Sequence, residues 1–471
     1  MSTVIKLRMK RIALSIAAGL LIWFLPVPEG IDLKAWQLFA IFVSTLALVV
    51  SNALPMGAST LLGLTAAVAT KTLTFQMAFG GYSNDVVWLV LIAFFISQGF
   101  ILTGLGKRIA YFFVALLGKK SIGLGYGVVF SEFILAPMIP SVTARSGAII
   151  YPIVRSLSHT FQSRVDDRTE RKLGTYLVLV AFHAAAISSA MFLTAMAANP
   201  LVADLAKHAQ VEITWNTWAL FAILPGLVCL LFLPILIFLL SPPVIKNTPD
   251  AMLMAKTKLK EMGPLSKNEW LMLFTFAGLL SLWIFGSVLQ MKAVTAALLG
   301  LAFLMLTGVL QWRDLLALTS AWETFIWFGA FVAMAEGLNY LGITTWFGTW
   351  VAHGLGNMPW GWAVVVLLLI YFYVHYFFAS STAHVGALYL PFLLVALNLG
   401  APPLITALLF GFASNLYGGL THYGFGSAPI LFGSGFVSFR EWWRIGFIVS
   451  TVNLTIWISV GLLWWNWLLA V

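Results

Sequence analysis

The chain has 471 residues, 61% of them hydrophobic and only 9% charged. That composition excludes an ordinary soluble domain and supplies many apolar runs long enough to cross a bilayer. The net charge of +10 does not point to nucleic acid, because Lys and Arg collect in short segments between apolar runs and act there as topology signals.

Residues 1–35 form an N-terminal helical segment whose apolar run follows a basic start. No A-x-A-like cleavage site comes after it, so it is read as a retained helix. Spans at 36–54, 57–71 and 85–104 follow, then a surface helix near 107–119. From 123 to 157 the sequence is apolar but interrupted by Glu132, Pro137, Pro140, Arg145 and Pro152, with cytoplasmic charge at both ends. A segment that enters and leaves on one side is a re-entrant hairpin, its tip at 140–145. The next span, 173–206, is expected to break at 194–200, where Pro200 removes a backbone donor and disfavours helix at Asn199. Broken backbone is not tolerated against lipid, so the break should line a cavity. Span 217–241 completes a first repeat at 36–241, and 242–269 reads as a cytoplasmic linker.

The second repeat, 270–471, runs through spans near 270–288, 293–311 and 319–340, a surface segment at 344–358, a hairpin at 361–398, a span broken within 403–432, and a last span at 445–468. The expectation is an all-α polytopic membrane protein of about 11 transmembrane helices, two re-entrant hairpins and two broken helices. Basic clusters at the N-terminus, around 107–120, 155–172 and 246–267, and at Arg313, Arg440 and Arg444 put the N-terminus in the cytoplasm and the C-terminus outside. No Lys or Arg lies between Arg313 and Arg440.

The two hairpin tips repeat one another. Ser141, Thr143, Ala144, Gly147, Ala148 and Pro152 match Ser380, Thr382, Ala383, Gly386, Ala387 and Pro391 at constant spacing, and the fifth position is cation-capable in both copies, as Arg145 and His384. The match continues upstream with a one-residue shift, pairing Gly99 with Gly337 and Gly104 with Gly342. An odd number of crossings separates the copies, so they are inverted, the architecture of secondary transporters with a site at the midplane. Helix N-termini at the breaks favour an anionic ligand.

The candidate binding residues are Ser141, Val142, Thr143 and Arg145 at the first tip, and Ser380, Ser381, Thr382 and His384 at the second, with Thr194, Asn199, Asn415 and Thr421 in the breaks. Arg145 lies deep in a hairpin, where a charge must be paired or line water. It either clamps a carboxylate bidentately or forms a structural salt bridge to Glu132. Asn199 and Asn415 either ligate substrate or satisfy backbone groups freed by the breaks. His183 and His375 read as packing residues. No catalytic triad, zinc motif, P-loop or haem motif is present, and the lone Cys229 excludes a Cys-cluster metal site, so neither enzyme activity nor a cofactor is expected.

The stretches PSVTARSGAIIYPI at 140–153, FLTAMAANPL at 192–201, HYFFASSTAHVGALYLPF at 375–392 and GGLTHYGFGSAPILFGSGFVSFREWW at 418–443, with the linker KLKEMGPLSKNEW, resemble the divalent anion:sodium symporter family. Within it they resemble the branch of bacterial citrate/succinate and tartrate/succinate antiporters and plastid 2-oxoglutarate/malate translocators. The resemblance implies a homodimer in the lipid bilayer, with a scaffold and a transport domain that moves as an elevator. It also implies Ser-Asn-Thr tips that hold substrate carboxylates and, in sodium-coupled members, sodium. Here the tips read Ser141-Val142-Thr143 and Ser380-Ser381-Thr382, without the Asn.

Val142 offers no side-chain oxygen, and Arg145 and His384 stand beside the places where sodium is held. The expected activity is therefore sodium-independent exchange of di- or tricarboxylates across a bacterial inner membrane, the empty carrier crossing poorly because its buried cations lack compensation. The alternative is a sodium- or proton-coupled symporter of the same fold.

Overall fold

The computed structural model describes residues 3–286, 288–343, 346 and 358–470. Their regular structure is helical, with no named strand among them. Nine of these helices are long and apolar enough to span a membrane, and two shorter apolar ones, Met56–Ala69 and Ala293–Leu306, stand where spans are expected. Most of the surface segment expected at 344–358 lies outside the described residues.

The described residues fall into two compact units, each drawing on both repeats. Unit 1 comprises Met1–Leu91, Pro200–Ile213 and Leu318–Gly411; unit 2 comprises Ile92–Asn199, Thr214–Ala317 and Phe412–Val471. The centre of unit 2 is helix Gly174–Met191, apolar on every side and buried at every residue, as such a helix must be. Helix Trp215–Leu240 packs against it and carries Pro225 and Pro234 inside the helix. Pro225 has no N–H for the Phe221 carbonyl one turn back, and the Trp465 indole N–H donates to that oxygen instead, at 2.7 Å.

The linker is ordered. Helix Pro249–Glu261 packs on the amphipathic helix Leu105–Leu117, the surface helix expected near 107–119. Ser266 and Glu269 form a capping box that starts helix Lys267–Ile284. Arg108 donates to both Glu269 carboxylate oxygens, at 2.6 and 3.1 Å, and to the Gly263 carbonyl at 2.8 Å. A bidentate, part-buried pair of this kind holds helix and linker together.

The upstream half of the repeat is conformational as well as sequential. Gly104 and Gly342 each follow a long helix, Asp85–Thr103 and Thr319–Tyr340, with φ of +79° and +81°. Both are left-handed terminators that a residue with a Cβ adopts only under strain.

Candidate functional site

The hairpins repeat a fixed order of local structures. In the first, helix Ser121–Leu135 tightens into a 3-10 turn at Ala136–Met138 and then extends at Ile139. After a one-turn helix, Val142–Ala144, it widens into a π segment, Arg145–Ile150, and ends as helix Tyr151–Thr160. In the second, helix Trp360–Tyr373, a 3-10 turn at Val374–Phe377, extended Phe378, helix Ser381–His384, π segment Val385–Tyr389 and helix Leu390–Asn398 follow in the same order. Ser141 and Ser380 each begin the tip helix, their Oγ accepting the N–H of Ala144 at 3.2 Å and of Ala383 at 3.3 Å. Serine is in the motif at this position because its oxygen satisfies an orphan N–H of the first turn. A hydroxyl that accepts in this way still has its proton to donate.

Within unit 2 the first tip meets both breaks. Thr194 Oγ1 donates to the Pro137 carbonyl at 2.7 Å and accepts from the Trp215 indole at 3.2 Å, tying the first break to the hairpin. Thr143 Oγ1 donates to the Gly426 carbonyl at 2.9 Å, joining the tip to the second break. Val142 is buried beside it, and Thr421 Oγ1 accepts the Gly424 N–H at 2.8 Å, closing a local turn. The second tip belongs to unit 1, where Ser381 is buried and Thr382 half-buried.

Arg145 and Glu132 are both 0% exposed, with Nε donating to Glu132 Oε2 at 2.6 Å. Nη1 donates to the carbonyls of Ile139 at 2.8 Å and Ala195 at 3.1 Å; Nη2 donates to Ser189 Oγ at 2.9 Å and, more weakly, to the Ala185 carbonyl at 3.5 Å. A guanidinium has five N–H donors, and these contacts engage all of them. Of the two roles open to Arg145, this conformation contains the internal ion pair. Glu132 compensates its charge, so the uncompensated cation expected at this tip is not there.

Asn199 uses its amide on the break. Nδ2 donates to the carbonyls of Ser189 at 2.8 Å and Phe192 at 3.0 Å, while Oδ1 accepts from Asn415 Nδ2 at 2.7 Å. Both freed-backbone roles and the link between the two breaks therefore fall on one side chain. The break itself lies earlier than Pro200 suggests: helix Ala198–His208 begins before that proline, which sits in its first turn where no N–H partner is needed.

At the second tip His384 is fully buried, its Nδ1 3.1 Å from Nδ1 of His375, its ring stacked on Phe378 and tilted against Tyr371. One of the two Nδ1 atoms donates and the other accepts, so the tautomer of each ring depends on the other. His375 is thus part of the tip, although nothing in the local pattern marks it.

Close backbone packing holds the second break. A Cβ on Gly446 would lie 2.6 Å from the Gly419 carbonyl oxygen and 3.1 Å from that of Leu420. Backbone cannot rotate away, so Gly446→Ala should cost about 1–3 kcal/mol, seen as a lower unfolding temperature in detergent. An unchanged temperature would contradict this packing.

Inverted repeats with paired hairpins and paired broken helices define a class, the secondary membrane transporters. The family model for the sodium:sulfate symporter transmembrane region matches residues 6–471. The chain belongs to this family, the divalent anion:sodium symporters. It is 50% identical over 462 residues to the Arabidopsis thaliana "Dicarboxylate transporter 1, chloroplastic", covering 98% of this chain and 83% of that protein. Identity to the Bacillus subtilis "Putative malate transporter YflS" is also 50%, over 96% of this chain and 95% of the relative. To the Escherichia coli "L-tartrate/succinate antiporter" it is 34%, over 94% and 95%. In fold the chain is similar to the Alcanivorax borkumensis YdaH transporter, with a TM-score of 0.56 at 12% identity over 93% of this chain and 99% of that one. Neisseria gonorrhoeae MtrF gives 0.57 at 13% identity, over 98% and 95%. The protein is a multi-pass membrane transporter and not an enzyme.

Proposed function

We propose that the chain is a sodium-independent exchanger of dicarboxylates, with succinate, malate, fumarate, tartrate, 2-oxoglutarate and citrate as the candidate substrates. The names of the relatives support the substrate class. The hydroxyls of Ser141, Ser380, Ser381 and Thr382 are the proposed carboxylate donors. The proposed setting is a bacterial inner membrane, with a homodimer working as an elevator.

The observation that carries sodium independence is the set of oxygens around Arg145. Backbone carbonyls and hydroxyls are what a hard cation takes as ligands, and here the carbonyls of Ile139, Ala185 and Ala195, Ser189 Oγ and the Glu132 carboxylate all face a guanidinium. A covalently attached cation occupies that place permanently. Exchange follows from charge: moving a dianion alone against an inside-negative potential costs about 4–5 kcal/mol per 100 mV, whereas dianion-for-dianion exchange moves no net charge.

In proteoliposomes, uptake of labelled succinate should require unlabelled dicarboxylate inside and should be unchanged when external sodium is replaced by choline. Uptake into empty vesicles driven by a sodium or proton gradient would establish the coupled symporter instead. A competition panel against labelled succinate then ranks the substrates.

A further inference from the structure

Unit 1 holds two carboxylates on one amide, none of the three a hairpin-tip residue. Asn84 stands just before helix Asp85–Thr103, and its Oδ1 accepts the Val86 N–H at 2.8 Å, which fixes the direction in which the amide faces. Nδ2 is thereby turned to Asp204 Oδ1 at 3.0 Å and, by a longer contact, to Glu336 Oε1 at 3.5 Å. Asp204 is 4% exposed, and its second oxygen, Oδ2, is buried without a hydrogen-bond partner among the described residues. An ionised carboxylate is acceptor-only, so that oxygen lacks the donor its burial demands.

The other ionisable groups nearby do not supply one. His208, one turn beyond Asp204, places Nδ1 3.3 Å from the Asn339 amide, and its Nε2 is buried without a partner. Lys207 and Asp85 are exposed. An amide NH₂ directed at both acids presents the positive end of its dipole where a metal would sit, and no group of three metal-ligating side chains is found among the described residues. A proton answers both the crowding and the burial, since it removes one of two like charges and with it the cost of keeping an ionised oxygen buried without a donor. Glu336 is only half-buried, which gives the pair access to water.

We propose that Asp204 and Glu336 bind one proton between them, a proton site built from residues other than those of the hairpin tips, and that transport by this chain responds to pH through it. The second half rests on the exchange activity proposed above; the first does not.

The test is infrared difference spectroscopy of the full chain in lipid nanodiscs during a pH titration, paired with succinate exchange over the same range. Wild type should show a protonated-carboxyl band at pH values where ordinary carboxylates are ionised. Asp204→Asn and Glu336→Gln should each move its disappearance to lower pH, because the remaining acid no longer faces a like charge. No such band in wild type, or one that titrates unmoved in both variants, overturns the shared proton, and the wild-type titration decides this even where a variant fails to fold. Thermal stabilisation of wild type, but not of Glu336→Gln, by sodium or potassium would make the site a metal site and also overturn it. Exchange by wild type should slow as the proton leaves, while Glu336→Gln keeps its low-pH rate. The same pH profile in both would remove the pH response. A band present without any succinate exchange supports the proton pair and counts only against the substrate class.

Discussion

Arg145→Ala is expected to destabilise the protein by about 3–5 kcal/mol and to abolish exchange. The cost comes from what remains: Glu132 at 0% exposure with no counter-charge, and the carbonyls of Ile139 and Ala195 without the guanidinium's donors. Loss of transport in this variant therefore says nothing about contact with substrate. The discriminating measurement is the unfolding temperature with and without sodium. If the guanidinium stands in a cation's place, its removal leaves an oxygen-lined hole with a carboxylate in it. Sodium should then raise the unfolding temperature of Arg145→Ala while leaving wild type unmoved. Equal sodium responses in the two proteins would refute the substitution of Arg for a bound cation.

The second large effect is at Asn199. In Asn199→Ala, the Ser189 and Phe192 carbonyls and the Asn415 amide each lose a bond in a buried setting. Each bond lost costs about 0.5–1.5 kcal/mol, the Phe192 carbonyl keeping the Ala195 N–H, and the three do not simply add. Asn199→Asp should be no better despite its identical shape, because it keeps the acceptor for Asn415 but turns a carboxylate oxygen toward two carbonyls. Asn415→Ala should be milder, because it takes from Asn199 only the donor to Oδ1 and leaves both carbonyl contacts in place. Unfolding temperature and exchange rate measured across the three variants test this order. An Asn199→Asp protein as stable as wild type would show that the amide does not hold the break.

Much of the fold is legible in the sequence because it is written in local pattern. The hairpin expected at 123–157 is bounded by helices Ser121–Leu135 and Tyr151–Thr160, and the one at 361–398 by Trp360–Tyr373 and Leu390–Asn398. Prolines and glycines report directly on where a helix stops. The site is less legible, since its decisive contacts join residues far apart in the chain. Nothing near Asn199 announces Asn415, and nothing near His384 distinguishes His375 from an ordinary packing histidine. Glu132 is visible as a partner for Arg145, but the carbonyls that complete the guanidinium's contacts come from the turn before the tip, from helix Gly174–Met191 and from the first break. The misplacement of that break has a plain cause. Proline marks both the interruption of a helix and its first turn, and sequence alone does not say which.

The π segments at Arg145–Ile150 and Val385–Tyr389 belong to the repeat as well. A π turn accommodates a surplus residue that an α-helix excludes, and it is rare because its geometry is poorer. The same rare geometry stands at the same place in both hairpins, so the likeness of the two tips extends from their sequence to the irregular backbone that carries it.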